Sequence, residues 1–259
     1  MTLAVVVTAR GSAATGRPTS AKPTIVLVQG AWANTASWSG VIARLEAEGY
    51  TVDAPPNPLR SLNGDAATIA DFLDTIKGPI VLVGHSYGGA VITNAATGNH
   101  QVKALVYVDA FAPAKGESAL GLDSSKPGSA LGAAPAKIFN FVPYPGAPKG
   151  DALLYVKPAV FEQAFANGLP AREGAVLAAT QAPAAYSALA APSGTPAWKT
   201  IPSWYVVGTI DRAIPPAIQL FMARRIHAHI TRVHAGHLSM IADPAAVAKV
   251  ITAAARATR

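Results

Sequence analysis

Ser86 stands in Gly84-His85-Ser86-Tyr87-Gly88, with glycines two residues to either side of a hydroxyl. That spacing fits a sharp strand-to-helix turn with the serine at its apex. At such a turn the serine backbone is strained, and the free N–H groups of the next helix point to the spot where its hydroxyl projects. The arrangement suits attack on a carbonyl, with donors ready for the oxyanion that develops. A serine is a poor nucleophile until a base takes its proton, and the base needs an acid to hold its tautomer. Asp211 and His237 are the candidates, giving the chain order Ser86, Asp211, His237 with separations of 125 and 26 residues.

Each assignment has a rival. His234 lies three residues before His237, but His237 follows the turn at Gly236, whereas His234 is close to a strand end. Asp109 closes the strand after the nucleophile and ranks behind Asp211 as the orienting acid. His85 is expected to be a packed turn residue pointing away from the site. Two backbone donors are expected for the oxyanion: the N–H of Tyr87 and that of Ala31 in the loop Gly30-Ala31-Trp32. Trp32, Tyr87 and Leu238 are the candidate pocket residues.

These groups need elements that bring them together. Apolar runs at Thr24 to Val28, Ile80 to Val83, Val102 to Val108 and Ser203 to Val207 read as strands buried on both faces. Shorter strands are expected at Tyr50 to Asp53 and His229 to Val233. Helical spacing appears over Ala36 to Gly49, Asp65 to Lys77, Pro215 to Arg225 and Pro244 to Ala255. In the second of these, Ile69, Phe72, Leu73 and Ile76 form the packing face, with Asp65, Asp71 and Asp74 outside. Strands alternating with helices imply right-handed crossovers and a mostly parallel sheet with helices on both faces. Sites in such sheets lie beyond the carboxyl ends of the strands, where Gly30-Ala31, Ser86, Asp211 and His237 would converge.

Residues 113–200 break this rhythm with many prolines, glycines and alanines, and read as an inserted, mainly helical lid. The core is then 24–112 and 201–259. Residues 1–23 are expected to be a mobile lead-in. A chain of 259 residues is long enough for one such domain with an insertion. The formal net charge of +7 comes from scattered or terminal positions, among them Arg224-Arg225, Arg256 and Arg259. No basic stripe with interleaved aromatics appears, so nucleic acid is not an expected partner. No apolar run is long enough to span a membrane, and the N-terminal apolar patch is short and lacks a basic flank. The expected location is cytoplasmic, with secretion as the alternative, and the expected state is a monomer or homodimer. The absence of cysteine removes disulfides, thiolate metal sites and a cysteine nucleophile together.

The motifs Val28-Gln29-Gly30-Ala31-Trp32, Asn57-Pro58-Leu59, Val83 to Gly89, Gly208 to Pro215 and Gly236-His237-Leu238-Ser239-Met240 together resemble the α/β-hydrolase fold. The nearest branch in appearance is that of small-lid carboxylesterases and pyrethroid-hydrolase-like proteins, related to plant methylesterases and hydroxynitrile lyases. The resemblance covers most of residues 24–255 and is weakest in the lid. It implies a serine hydrolase that needs no cofactor or metal, cleaving esters of small to medium apolar substrates through an acyl-enzyme. Gln29 stands where the family usually has histidine, which bears on the shape of the oxyanion loop. Hydroxynitrile lyases carry a lysine after the catalytic histidine and a threonine in the first loop, where this chain has Leu238 and Gly30. The alternative functions are a cofactor-free haloperoxidase or perhydrolase, a hydroxynitrile lyase, and a non-catalytic ligand-binding homologue. A peptidase reading is weaker still, because no separate anchoring site for a peptide chain is evident.

Overall fold

A computed structural model describes residues 22–258. The lead-in expected over 1–23 therefore lies almost wholly outside the described residues. Six strands form one parallel sheet: β1 (Thr24–Val28), β2 (Val52–Asp53), β3 (Ile80–His85), β4 (Val102–Val108), and, after the insertion, two further strands at Ser203–Gly208 and His229–Val233. Their apolar runs are continuous because both faces are covered; Ile80, Val81, Leu82 and Val83 have no solvent exposure. Burying each such side chain contributes about 1.5–3 kcal/mol. The helix Ser39–Ala47 packs on the final helix Pro244–Ala257, and Leu62–Asp74 packs on Tyr87–Ala95.

The insertion contributes its own strands: β5 (Phe139–Val142), β6 (Leu153–Val156) and β7 (Ala184–Ala185), in one antiparallel sheet among short helices. The two late strands of the large sheet are β8 (Ser203–Gly208) and β9 (His229–Val233), and its order is β2-β1-β3-β4-β8-β9. The chain moves outward from β1 to β2, crosses back to β3 and then proceeds the other way. The direction reverses between β1 and β3, so the crevice of an open α/β sheet opens at their carboxyl ends. The loop after β1 carries Gly30, and the turn after β3 carries Ser86.

One helix face differs from its sequence reading. Asp65, expected outside, is 1% exposed, whereas Asp71 and Asp74 are exposed. The helix starts earlier than expected, at Leu62, with the Ser61 hydroxyl accepting from the Gly64 N–H at 3.1 Å. That start turns Asp65 back toward the chain, where it accepts from the Arg60 N–H at 3.1 Å and the Tyr87 hydroxyl at 2.8 Å. A buried carboxyl is tolerated where such donors surround it. Among the described residues, no helix is long and apolar enough to cross a membrane.

Candidate active site

The turn after β3 has the strained geometry its glycines suggest. Ser86 has φ 53° and ψ −126°, a conformation unusual for any residue but glycine. Hydrogen bonds hold it from both sides: its N–H donates to the Val108 carbonyl at 3.2 Å, and its carbonyl accepts from Gly89 at 2.9 Å and Phe111 at 3.0 Å. A Cβ at Gly84 would lie 2.5 Å from the Gly88 carbonyl oxygen, and one at Gly88 would lie 2.5 Å from that of Val28. The strand and helix can approach this closely only without side chains at both places.

The loop after β1 presses on the same turn. A Cβ at Gly30 would sit 2.6 Å from Cβ of Ser86 and 3.0 Å from the Tyr87 nitrogen. The next two residues put one unused donor and one anchored ring beside the serine. The N–H groups of Ala31 and Tyr87 have no acceptor among the described residues. Trp32, at φ 61°, donates its backbone N–H to Ala182 at 2.8 Å and its indole N–H to the Leu154 carbonyl at 2.8 Å, so the insertion clamps it. Gln29 is buried, its carbonyl accepting from the Asn57 amide at 3.1 Å, while its own Oε1 is unpartnered.

His237 arrives from the loop after β9. Its Nε2 lies 2.9 Å from Ser86 Oγ and its Nδ1 lies 2.8 Å from Asp211 Oδ2, so one ring bridges hydroxyl and carboxyl. All three residues are at least 96% buried. Burial pushes the imidazole down to about 3, which keeps it a neutral base. Asp211, in the loop after β8, accepts from Ala213 N–H at 2.8 Å and Ile214 N–H at 3.0 Å on Oδ1, and from the Gln219 amide at 2.7 Å on Oδ2. With the His237 N–H, four donors converge on it.

Asp109 occupies the neighbouring strand end, at φ 45° and fully buried, but its oxygens accept from Gly208 N–H at 2.7 Å and Ser239 N–H at 3.3 Å rather than from His237. Burial raises the pKa of both carboxyls, and the Asp211 charge raises that of Asp109 further. Asp109 accepts from two backbone N–H groups where Asp211 has four donors, and more donors favour the ionised form on Asp211. His85 packs behind the site with its ring 4.8 Å from that of His237, and its Nε2 lies 3.0 Å from the His237 carbonyl. Burial holds it well below the usual histidine range.

A small cavity opens over Ser86. Ala31, Trp32, Tyr87 and His237 line one side, while Leu120, Asp123, Leu131 and Phe139 come from the insertion. Leu238 is buried and does not line the cavity. Following His237 in sequence does not place it there, because successive side chains leave the backbone in different directions. Tyr87 contributes to the lining, although its hydroxyl is spent on Asp65, which together with burial raises its pKa. Three groups escaped the sequence reading: Gln219, Asp123 and the Asp65–Tyr87 pair. Only Gln219 had a sequence cue, its place one turn into the helix after Asp211. Arg225, counted among the scattered positive charges, grips Glu117 at 2.6 Å and 2.8 Å and the Ala112 carbonyl at 2.8 Å. Among the described residues no His, Asp or Glu cluster is arranged to hold a metal ion.

Comparison with known proteins places this geometry in context. The family model described as "Alpha/beta hydrolase family" matches residues 25–250. The chain is 28% identical over 255 residues to the α/β hydrolase nvfD of Aspergillus novofumigatus, covering 90% of this chain and 97% of that protein. It is 34% identical over 110 residues to a carbendazim hydrolyzing esterase of Nocardioides, covering 38% of this chain and 46% of that one. Among solved structures, a pyrethroid hydrolase from Sphingobium faniae superposes with a TM-score of 0.71 at 21% identity, covering 91% of this chain and 98% of the other. Polyneuridine aldehyde esterase superposes with a TM-score of 0.75 at 16% identity, covering 90% and 99%. At such identities the two superpositions speak for the fold alone. The family match spans most of the chain, sheet and elbow included, and the protein belongs to the α/β-hydrolase family.

Proposed function

We propose that the protein is a serine esterase that cleaves carboxylic esters of small to medium size through an acyl-enzyme. The observation that carries this reading is the continuous relay from Ser86 Oγ through His237 to Asp211, with two unused N–H groups beside the hydroxyl. In the proposed reaction His237 Nε2 takes the Ser86 proton as Oγ attacks the ester carbonyl. The carbonyl oxygen becomes an oxyanion between the N–H groups of Ala31 and Tyr87. His237 then returns the proton to the departing alcohol, leaving an acyl-serine. Water repeats the sequence and releases the acid. Asp211 stays ionised and holds Nδ1 protonated, so that Nε2 is the free base.

The names of the carbendazim esterase, the pyrethroid hydrolase and polyneuridine aldehyde esterase support ester chemistry on this scaffold. The apolar Leu238 after the histidine counts against cyanohydrin cleavage, which lacks its lysine here. A fluorophosphonate label and p-nitrophenyl butyrate test the reading. The expected result is labelling at Ser86 and turnover that Ser86→Ala abolishes; turnover persisting in Ser86→Ala rejects it.

A further inference from the structure

The insertion side of the cavity is apolar apart from one group. Asp123 ends the short helix Ala119–Asp123, is 8% exposed, and lines the cavity that holds Ser86 and His237. Its Oδ1 has no hydrogen-bond partner among the described residues. A carboxyl withdrawn from water without a donor is costly, and such a carboxyl lining a binding cavity marks a place for a donor on the ligand. The surroundings do not supply one. No lysine or arginine lines the cavity. The Ser129 hydroxyl, close enough to favour the charged form of Asp123, donates to the Ala213 carbonyl at 2.8 Å. Burial and the Asp211 charge raise the carboxyl to about 7. The chain carries a net charge of +7, yet the one Asp, Glu, Lys or Arg side chain lining this cavity is Asp123.

We infer that Asp123 is a specificity-determining residue, and that the esters this cavity favours carry a protonated amine whose N–H reaches the Asp123 carboxyl group. The inference rests on the proposed reading of the protein as an esterase and names the class of ester. An ammonium group gains twice in this position. It donates to the carboxyl, and it is attracted by Asp123 and Asp211 in surroundings where water screens little. A neutral alkyl group of the same shape gains neither, and an anion is repelled.

Two isosteric pairs test this without depending on turnover. In the alcohol half, 2-(dimethylamino)ethyl butyrate is compared with 3-methylbutyl butyrate. In the acyl half, ethyl 4-(dimethylamino)butanoate is compared with ethyl 5-methylhexanoate. Dissociation constants are measured by calorimetry on Ser86→Ala protein, which binds without cleaving. The expected result is about tenfold or tighter binding of the amine member in at least one pair. That ratio is expected to fall to within about twofold when Asp123→Asn is added. Equal constants in both pairs, no binding of any of the four, or a ratio that survives Asp123→Asn overturns the inference. The first comparison keeps Asp123 intact, so it stands even if the double variant does not fold. Hydrolysis of p-nitrophenyl butyrate by the wild type reports separately on the esterase reading: an amine preference without that turnover rejects the reaction while the site stands.

Discussion

The wall of the cavity that carries Ser86, Asp211 and His237 is made of strand ends and the turns that leave them, whereas the opposite wall comes from short helices and the β5-β6-β7 sheet of residues 113–200. On the first wall the groups placed for reaction are held by the backbone. The Ser86 peptide is bonded on both sides, Asp211 accepts from four donors, and Gly30, Gly84 and Gly88 leave no room for a side chain. On the second wall the one ionisable group lining the cavity, Asp123, has an oxygen with no hydrogen-bond partner within bonding geometry among the described residues. A wall built from the sheet can fix a reacting geometry because parallel strands determine where their ends lie. A wall built from an insertion can vary without disturbing the sheet.

Substitutions separate the two walls, and those on the sheet side should cost the most. Ser86→Ala should lower kcat for p-nitrophenyl butyrate by on the order of 10⁶-fold. Asp211→Asn should cost about 10⁴-fold by favouring the wrong tautomer of His237. Asp109→Asn, which removes a carboxyl that does not touch the histidine, should cost less than about tenfold. Comparable losses from the two asparagine variants in steady-state assays would show that the neighbouring carboxyls share one role.

Gly30→Ala comes next. Its methyl would press on Ser86 and the Tyr87 nitrogen, so the oxyanion loop must retreat, and kcat should fall by about 10²- to 10³-fold. A crystal structure of the variant with an unmoved loop and wild-type turnover would remove the geometric argument for the Ala31 donor.

Asp123→Asn sharpens the contrast through stability. Its carboxyl titrates near 3.9 in the unfolded chain and at about 7 in the fold. Between those values the native state binds the extra proton, so the wild type loses stability as pH rises through that window. The variant escapes this loss. Its urea midpoint relative to wild type should therefore rise from pH 4 to pH 8, by an equivalent of about 1–3 kcal/mol. A pH-independent difference would mean that Asp123 finds a partner in solution.

The smallest effect is expected in the pH profile of the wild type. Burial lowers His237 to about 3, so the acid limb of kcat/KM should lie below the roughly 6.5 of an ordinary histidine. A limb at 6.5 would point to a site more open to water than its burial indicates.

Much of this was legible before any coordinates. The elbow could be read because its requirements are local: an apolar run, glycines at Gly84 and Gly88, and small residues after them. The meeting of Asp211 and His237 with Ser86 could be read because strand ends in a parallel sheet face one edge. Asp65 was misplaced because its burial depends on where the helix begins and on a tyrosine hydroxyl from another helix. Leu238 was misplaced because sequence adjacency to His237 says nothing of which way its side chain leaves the turn. The lid read as mainly helical, and its small antiparallel sheet escaped because β7 is two alanines long.

By itself, then, the sequence determined the sheet and the elbow, since periodicity, glycine placement and β-branched runs constrain the backbone over a few residues at a time. It also named the three groups of the relay through their order and their places at strand ends. Tertiary structure alone supplied the partners that separate the two neighbouring carboxyls, because Asp109 and Asp211 both end strands, yet Asp211 meets His237 while Asp109 accepts from Gly208 and Ser239. It alone turned Asp123, unremarked in the chain, into a nearly buried carboxyl lining the cavity over the serine, because a cavity wall is assembled from side chains that no local pattern links.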